Sequence, residues 1–200
     1  MDFLTDPEEF RRHNARIQEL LDLERKLPEQ VFRRPLGNFI FLNFDEVFWG
    51  FDLECLKSFA RAEETFFVTV VDPDPQSYYR KHFNIYPTIA MGPDVDLNAY
   101  RKILARPLSE DNSETLADAA GVEVLYSFGH DWAIYGDRDF ELAIAAFGDS
   151  DLAATFRSVH SADKLLTPEQ ALAHLVDTGL FGVDRRVPPS VRRKLLENYQ

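Results

Sequence analysis

The chain has one cysteine, Cys55, in 200 residues, which excludes an internal disulfide and any cysteine-cluster zinc site. No apolar run approaches the ~20 residues of a membrane-spanning helix, so no membrane partner is expected. The opening MDFLTDPEEF lacks a basic region followed by an apolar core, so no signal peptide is expected and the cytoplasm is the expected compartment. Positive charge is also scarce. Lys and Arg number 22 against 34 Asp and Glu, a formal net charge of −12, which disfavours nucleic acid as a partner. Catalytic signatures are missing too: there is no GxGxxG, GxxxxGK[ST], HExxH or GxSxG. The histidines His13, His82, His130, His160 and His174 never fall at i, i+2 or i, i+4. A metal site would need distant segments, so neither metal nor cofactor is expected, and the balance tips towards a non-enzymatic protein.

What the chain does contain is the composition of a globular protein, 45% hydrophobic and 13% aromatic, with a mean hydropathy of −0.29. At this length roughly 70% of the unfolded surface can be buried without covalent staples. The organising stretch is Val122–Phe147, VEVLYSFGHDWAIYGDRDFELAIAAF, whose apolar residues alternate as in strands with one buried face. Three-residue loops at Gly129-His130-Asp131 and Gly136-Asp137-Arg138 make a three-strand meander, each with a Gly for the left-handed position. That register puts Phe128 opposite Trp132, Tyr126 opposite Ile134, Ile134 opposite Phe140 and Trp132 opposite Leu142. Tyr126, Phe128, Trp132, Ile134, Phe140 and Leu142 then share one buried face, with Glu123, Asp139 and Glu141 on the other. A helix over Asp139–Phe147 is the rival, since Phe140, Ile144 and Phe147 also fall at i, i+4 and i+7.

Around the meander the pattern alternates between helix and strand. Asp6-Pro7-Glu8-Glu9 starts a helix with Phe10, Ile17, Leu20, Leu21 and Leu27 on one face, ending before Pro28. NFIFLNFDEVFWGF (38–51) reads as a strand followed by a turn or second strand, and Asp52–Ala60 as a short helix. Thr65–Val71 is a strongly apolar strand. Asp72-Pro73-Asp74-Pro75 caps a helix over Gln76–Phe83, and Ile85–Met91 is an edge or bulged strand because of Pro87. Asp94–Arg106 and Asp111–Ala120 read as helices, the second capped by Asp111 or Ser113. Helices follow from Asp149 to the C-terminus, one opened by the capping box Thr167-Pro168-Glu169-Gln170. The expected architecture is a single α+β domain with a mainly antiparallel sheet, helices packed on one face and at both termini.

Charge is unevenly distributed. Leu108–Asp151 holds eleven acids and one base, Arg138, a local balance of −10. Such a field attracts a basic protein, and Glu110, Asp111, Glu114, Asp118, Asp131 and Asp137 are the expected partner-binding carboxylates. A solvated, solubilising face is the plain alternative. Arg185, Arg186, Arg192, Arg193 and Lys194 point to pairing with the protein's own acidic region or with that of a second copy, so a homodimer is also open. His130-Asp131 is the one pair suited to general-base chemistry, which would make the chain a small hydrolase or transferase. Loop chemistry explains the same residues.

The run Trp132-Ala-Ile-Tyr-Gly-Asp137-Arg138-Asp-Phe-Glu141-Leu-Ala-Ile144 resembles a segment of uncharacterised acidic bacterial proteins, some of them similar to the immunity proteins of polymorphic toxin systems. The resemblance implies an acidic, cytoplasmic, non-catalytic protein that works by occluding a toxin. It carries over no binding residues. Inhibition of a basic toxin is therefore the first functional expectation, ahead of His130/Asp131 chemistry and of a self-associating structural module.

Overall fold

In the computed structural model, residues 2–49, 53–59, 65–92, 95–110, 112–178, 180–181 and 186–199 are described. The centre is the expected meander: β6 (Val122–Ser127), β7 (Trp132–Asp137) and β8 (Leu142–Phe147). Residues 142–147 form a strand, and the helical alternative fails. β1 (Asn38–Asn43) pairs with β8, β2 (Phe66–Asp72) with β6, and β3 (Thr88–Met91) with β2. All pairings are antiparallel, in the order β1-β8-β7-β6-β2-β3. A separate two-stranded ribbon joins β4 (Pro107–Ser109) to β5 (Asn112–Thr115).

The register departs from expectation. Leu125 faces Ile134 and Tyr126 faces Ala133; Trp132 faces Phe147 and Asp137 faces Leu142. Both loops therefore contain four residues, 128–131 and 138–141. Trp132 and Ile134 share a face with Leu125, Ala143, Ala145 and Phe147. Tyr126 and Leu142 lie on the other face with Val124, Tyr135 and Ile144. Phe128 and Phe140 leave the sheet for the loops, where Phe128 is 40% exposed. The expected single buried face was wrong because every position of β6, β7 and β8 is buried. With both faces covered, apolar alternation no longer selects a register.

Gly136 corrects the turn reading. It lies within β7, where an added Cβ would stand 2.2 Å from Phe48 Cε2 and 2.8 Å from Phe44 Cδ2. Close packing, not a turn, demands glycine there. The left-handed position of the second loop belongs to Glu141, with φ of 49°.

Helices cover both faces, and they divide by position in the chain. On the Trp132 face lie α2 (Phe44–Phe48), α3 (Leu53–Phe59), a π-helical turn (Pro75–Arg80) leading into α4 (Lys81–Phe83), α5 (Leu97–Leu104), α6 (Leu116–Ala119) and α7 (Ser150–Val159). The Tyr126 face is covered by the terminal helices α1 (Pro7–Leu20), α8 (Pro168–Asp177) and α9 (Pro189–Asn198). Caps explain several starts: Asp6 for α1, Asn43 for α2, and the Thr167/Gln170 box for α8. Helix α1 stops at Leu20, before the expected boundary, because Leu21 turns extended and bridges Phe32. The following loop then carries Leu27, Val31 and Leu36 into the core. The helix expected over Asp111–Ala120 is also shorter. Asn112–Thr115 pairs as β5, and a Thr115/Asp118 capping box starts α6 four residues late.

Both edges of the sheet are occupied. Leu166 N donates to Phe41 O of β1 at 2.9 Å, and Leu4 N donates to Thr88 O of β3 at 3.3 Å. None of the described helices is long and apolar enough to cross a membrane.

Candidate functional site

Antiparallel order gathers the strand termini Asn43, Leu142, Asp137, Val122 and Asp72 side by side at one end of the sheet. At ~4.8 Å between strands this row spans about 20 Å. Carboxylates crowd it. Asp45 and Glu46 follow β1, Glu141 precedes β8, and Asp137 and Asp139 close β7. Asp118 leads into β6, while Asp72 and Asp74 end β2. The described cations among them are Lys26, ion-paired with Asp72; Lys164, 2.8 Å from Glu46; and Arg138. Arg138 forms no ion pair inside its turn. It donates to Ala117 O at 2.5 Å and lies over the Phe44 ring.

Six acids were expected to bind a partner, and the fold does not unite them. Glu110 is exposed at the β4–β5 turn, and Asp111 lies outside the described residues. Glu114 accepts from the Tyr78 hydroxyl at 2.6 Å. Asp118 is exposed, and its carboxylate closes the capping box of α6. Asp131 and Asp137 occupy opposite ends of β7, ~20 Å apart. Asp131 pairs with Arg16 at 3.1 Å. Asp137 is buried, and burial raises its pKa to about 6 despite a bond from Phe140 N.

Four of the eight clustered carboxylates, Asp45, Glu46, Asp72 and Asp74, fall outside the acidic run. Their signal lay in parity: each pair closely follows a strand that ends where β6 begins, which only the strand order reveals.

Glu123, expected opposite Trp132, shares its face. It sits on β6 across from Gly136, 2% exposed, with Oε2 unbonded. Burial lifts its pKa to about 8, with Arg138 opposing. Tyr79 Oη and Arg138 Nε are likewise buried and unbonded, and both interact electrostatically with Glu123. Glu123 is thus held as a neutral acid at ordinary pH.

His130 and Asp131 lie together on the first hairpin loop, but Asp131 is engaged by Arg16, which also donates to His130 O at 2.8 Å. Neither described cavity touches them. One, of 400 Å³ between α8 and α9, has an apolar floor of Leu172, Val176 and Val187 beneath Arg186, Arg192 and Glu169. The other, of 140 Å³, opens beside Asp72 at the acid-bearing sheet end. Among the described residues, no His, Cys, Asp and Glu side chains cluster as metal ligands. Of the five C-terminal cations, Arg185 lies outside the described residues, and Lys194 and Arg193 pair away from the acidic row, with Glu29 and Glu197.

The class these elements define is an α+β protein, an antiparallel six-stranded sheet between helical layers. Compared with protein-family models, curated proteins and solved structures, the chain matches none.

Proposed function

We propose that the chain is a non-enzymatic binding protein that receives a basic protein partner at the Asp137 end of its sheet, in the way an immunity protein occludes a basic toxin. The observation supporting this is the row of eight carboxylates against three cations across five adjacent strand ends. Solvent-exposed Asp45, Asp74, Asp118, Asp139 and Glu141 supply long-range attraction, which speeds encounter and weakens with salt. The test is capture from source-cell extract at low ionic strength, with the recovered proteins identified by mass. The wild-type chain should retain a basic protein that is lost at high salt and lost with the triple variant Asp74→Lys, Asp139→Lys, Glu141→Lys. Recovery of no basic protein, or equal recovery by the triple variant, overturns the proposal.

A further inference from the structure

Within the acidic row lies the 140 Å³ cavity, lined by the apolar Leu23, Val71 and Val122, by Tyr135, and by two cations, Arg25 and Lys26, and two acids, Asp72 and Asp74. Its size is close to that of the roughly 150 Å³ cavities that hold one six-carbon ring. It is therefore too small for a cofactor and large enough for one side chain. Tyr135 is 2% exposed, yet its hydroxyl makes no hydrogen bond among the described residues. The other deeply buried tyrosines of the two sheet faces mostly have partners: Tyr100 donates to Phe48 O, Tyr126 meets His13, and Tyr199 meets Val31 N and Glu29 O. Tyr79 Oη is sealed and unbonded, whereas the Tyr135 hydroxyl is not sealed and opens on the cavity, where a ligand atom can reach it.

Charge fixes the kind of ligand. Asp72 and Asp74 line the cavity, and Asp137 stands close enough to act on Tyr135. The two lining cations are already engaged, Lys26 by Asp72 and Arg25 by Asp22 at 3.1 Å, which leaves Asp74 and Asp137 as the nearby carboxylates outside these ion pairs. We infer that this cavity takes a basic side chain of the partner, an ammonium or guanidinium on an aliphatic stem. The stem packs on Leu23, Val71 and Val122, and the charged head donates to the Tyr135 hydroxyl and faces the Asp74 and Asp137 carboxylates. The inference rests on the basic-partner reading and gives it an anchor point, since a buried central side chain dominates most interfaces.

The full chain is titrated with Nα-acetyl-lysine methylamide, Nα-acetyl-arginine methylamide and, as a neutral match, Nα-acetyl-norleucine methylamide, following backbone amides by NMR. The cationic compounds should move Val71, Asp72, Val122 and Tyr135 saturably in the millimolar range, and norleucine should not. Tyr135→Phe should weaken binding about tenfold, the worth of a hydrogen bond to a charged group. It should leave the melting temperature unchanged or raised, because the hydroxyl it removes has no partner. Absence of saturable shifts, equal shifts with norleucine, or full affinity in Tyr135→Phe overturns the inference. A lysine-rich peptide separates the two readings. If the triple surface variant loses the peptide while Tyr135→Phe keeps it, the sheet-end reading stands and the cavity inference falls. If the single amino-acid compounds fill the cavity while the peptide fails to bind, the cavity chemistry stands and the protein-partner reading falls.

Discussion

The two faces of the sheet are equally sealed from water but hold ionisable groups of opposite temper. On the Trp132 face, Glu123 keeps its proton up to about pH 8, because burial disfavours the carboxylate. On the Tyr126 face, His13 stays neutral down to about pH 4, again chiefly by burial, with Arg12 adding repulsion. Its Nδ1 lies 2.6 Å from the Tyr126 hydroxyl, and the rings of Phe67 and Phe128 enclose it. The difference has a thermodynamic sign. Folded Glu123 binds a proton that the unfolded chain releases near 4.5, so its stabilisation is lost as pH climbs towards 8. Folded His13 refuses a proton that the unfolded chain accepts near 6.5, so its stabilisation is lost as pH falls towards 4. Asp137, raised to about 6, acts with the same sign as Glu123. Asp137 lies on the Tyr126 face with Val122 and Leu142, so alkali acts on both layers, whereas acid acts through His13 on the Tyr126 layer alone.

The largest effect should come from the Trp132 face. Trp132 is 1% exposed and meets Phe59 edge-on at 5.3 Å. Trp132→Ala should cost ~3–5 kcal/mol in chemical denaturation, and a loss under 1 kcal/mol would show that this face is loosely packed. Glu123→Gln should sharpen the pH contrast: a change under about 1 kcal/mol at pH 5, where the wild-type acid is neutral in the fold, but a gain of roughly 4–5 kcal/mol at pH 9. Equal melting curves for both proteins across that range would refute a neutral Glu123. Gly136→Ala comes next at ~1–3 kcal/mol, since its methyl would collide with Phe44 and Phe48. Near-neutrality would mean that α2 can lift away from β7. Smallest is Tyr126→Phe, at ~1 kcal/mol for a lost buried hydrogen bond. It should also move the acid midpoint upward, because it removes the partner of neutral His13. An unchanged midpoint would detach that histidine from acid sensitivity.

Much of this contrast could be read in the sequence, but unevenly. Strand positions, the α+β class, the cap at Asp6 and the Thr167 box are local properties and were readable. Register was not, because Gly136 signals a turn just as well as it signals contact with two phenylalanines 88 and 92 residues upstream. Nor could alternation show that the sheet is covered twice, since helices at the chain ends can pack anywhere until the sheet exists. The acidic run was visible as charge. Its partition was hidden, because residues six apart on one strand emerge at opposite ends of a sheet. Glu123 appeared as another surface acid and proved to be a core residue. The carboxylates after β1 and β2 joined the row only through topology.

The occupied sheet edges limit how this protein can meet others. Unpaired strand edges invite further strands, in fibrils as in edge-to-edge dimers. Here Leu166 covers β1 and Leu4 bridges next to β3, while Arg157 reaches Phe39 O at 3.5 Å. A visiting strand must first displace one of these segments. Growth by strand addition is thereby discouraged at both sides, and the open approach to the sheet is along the ends of its strands.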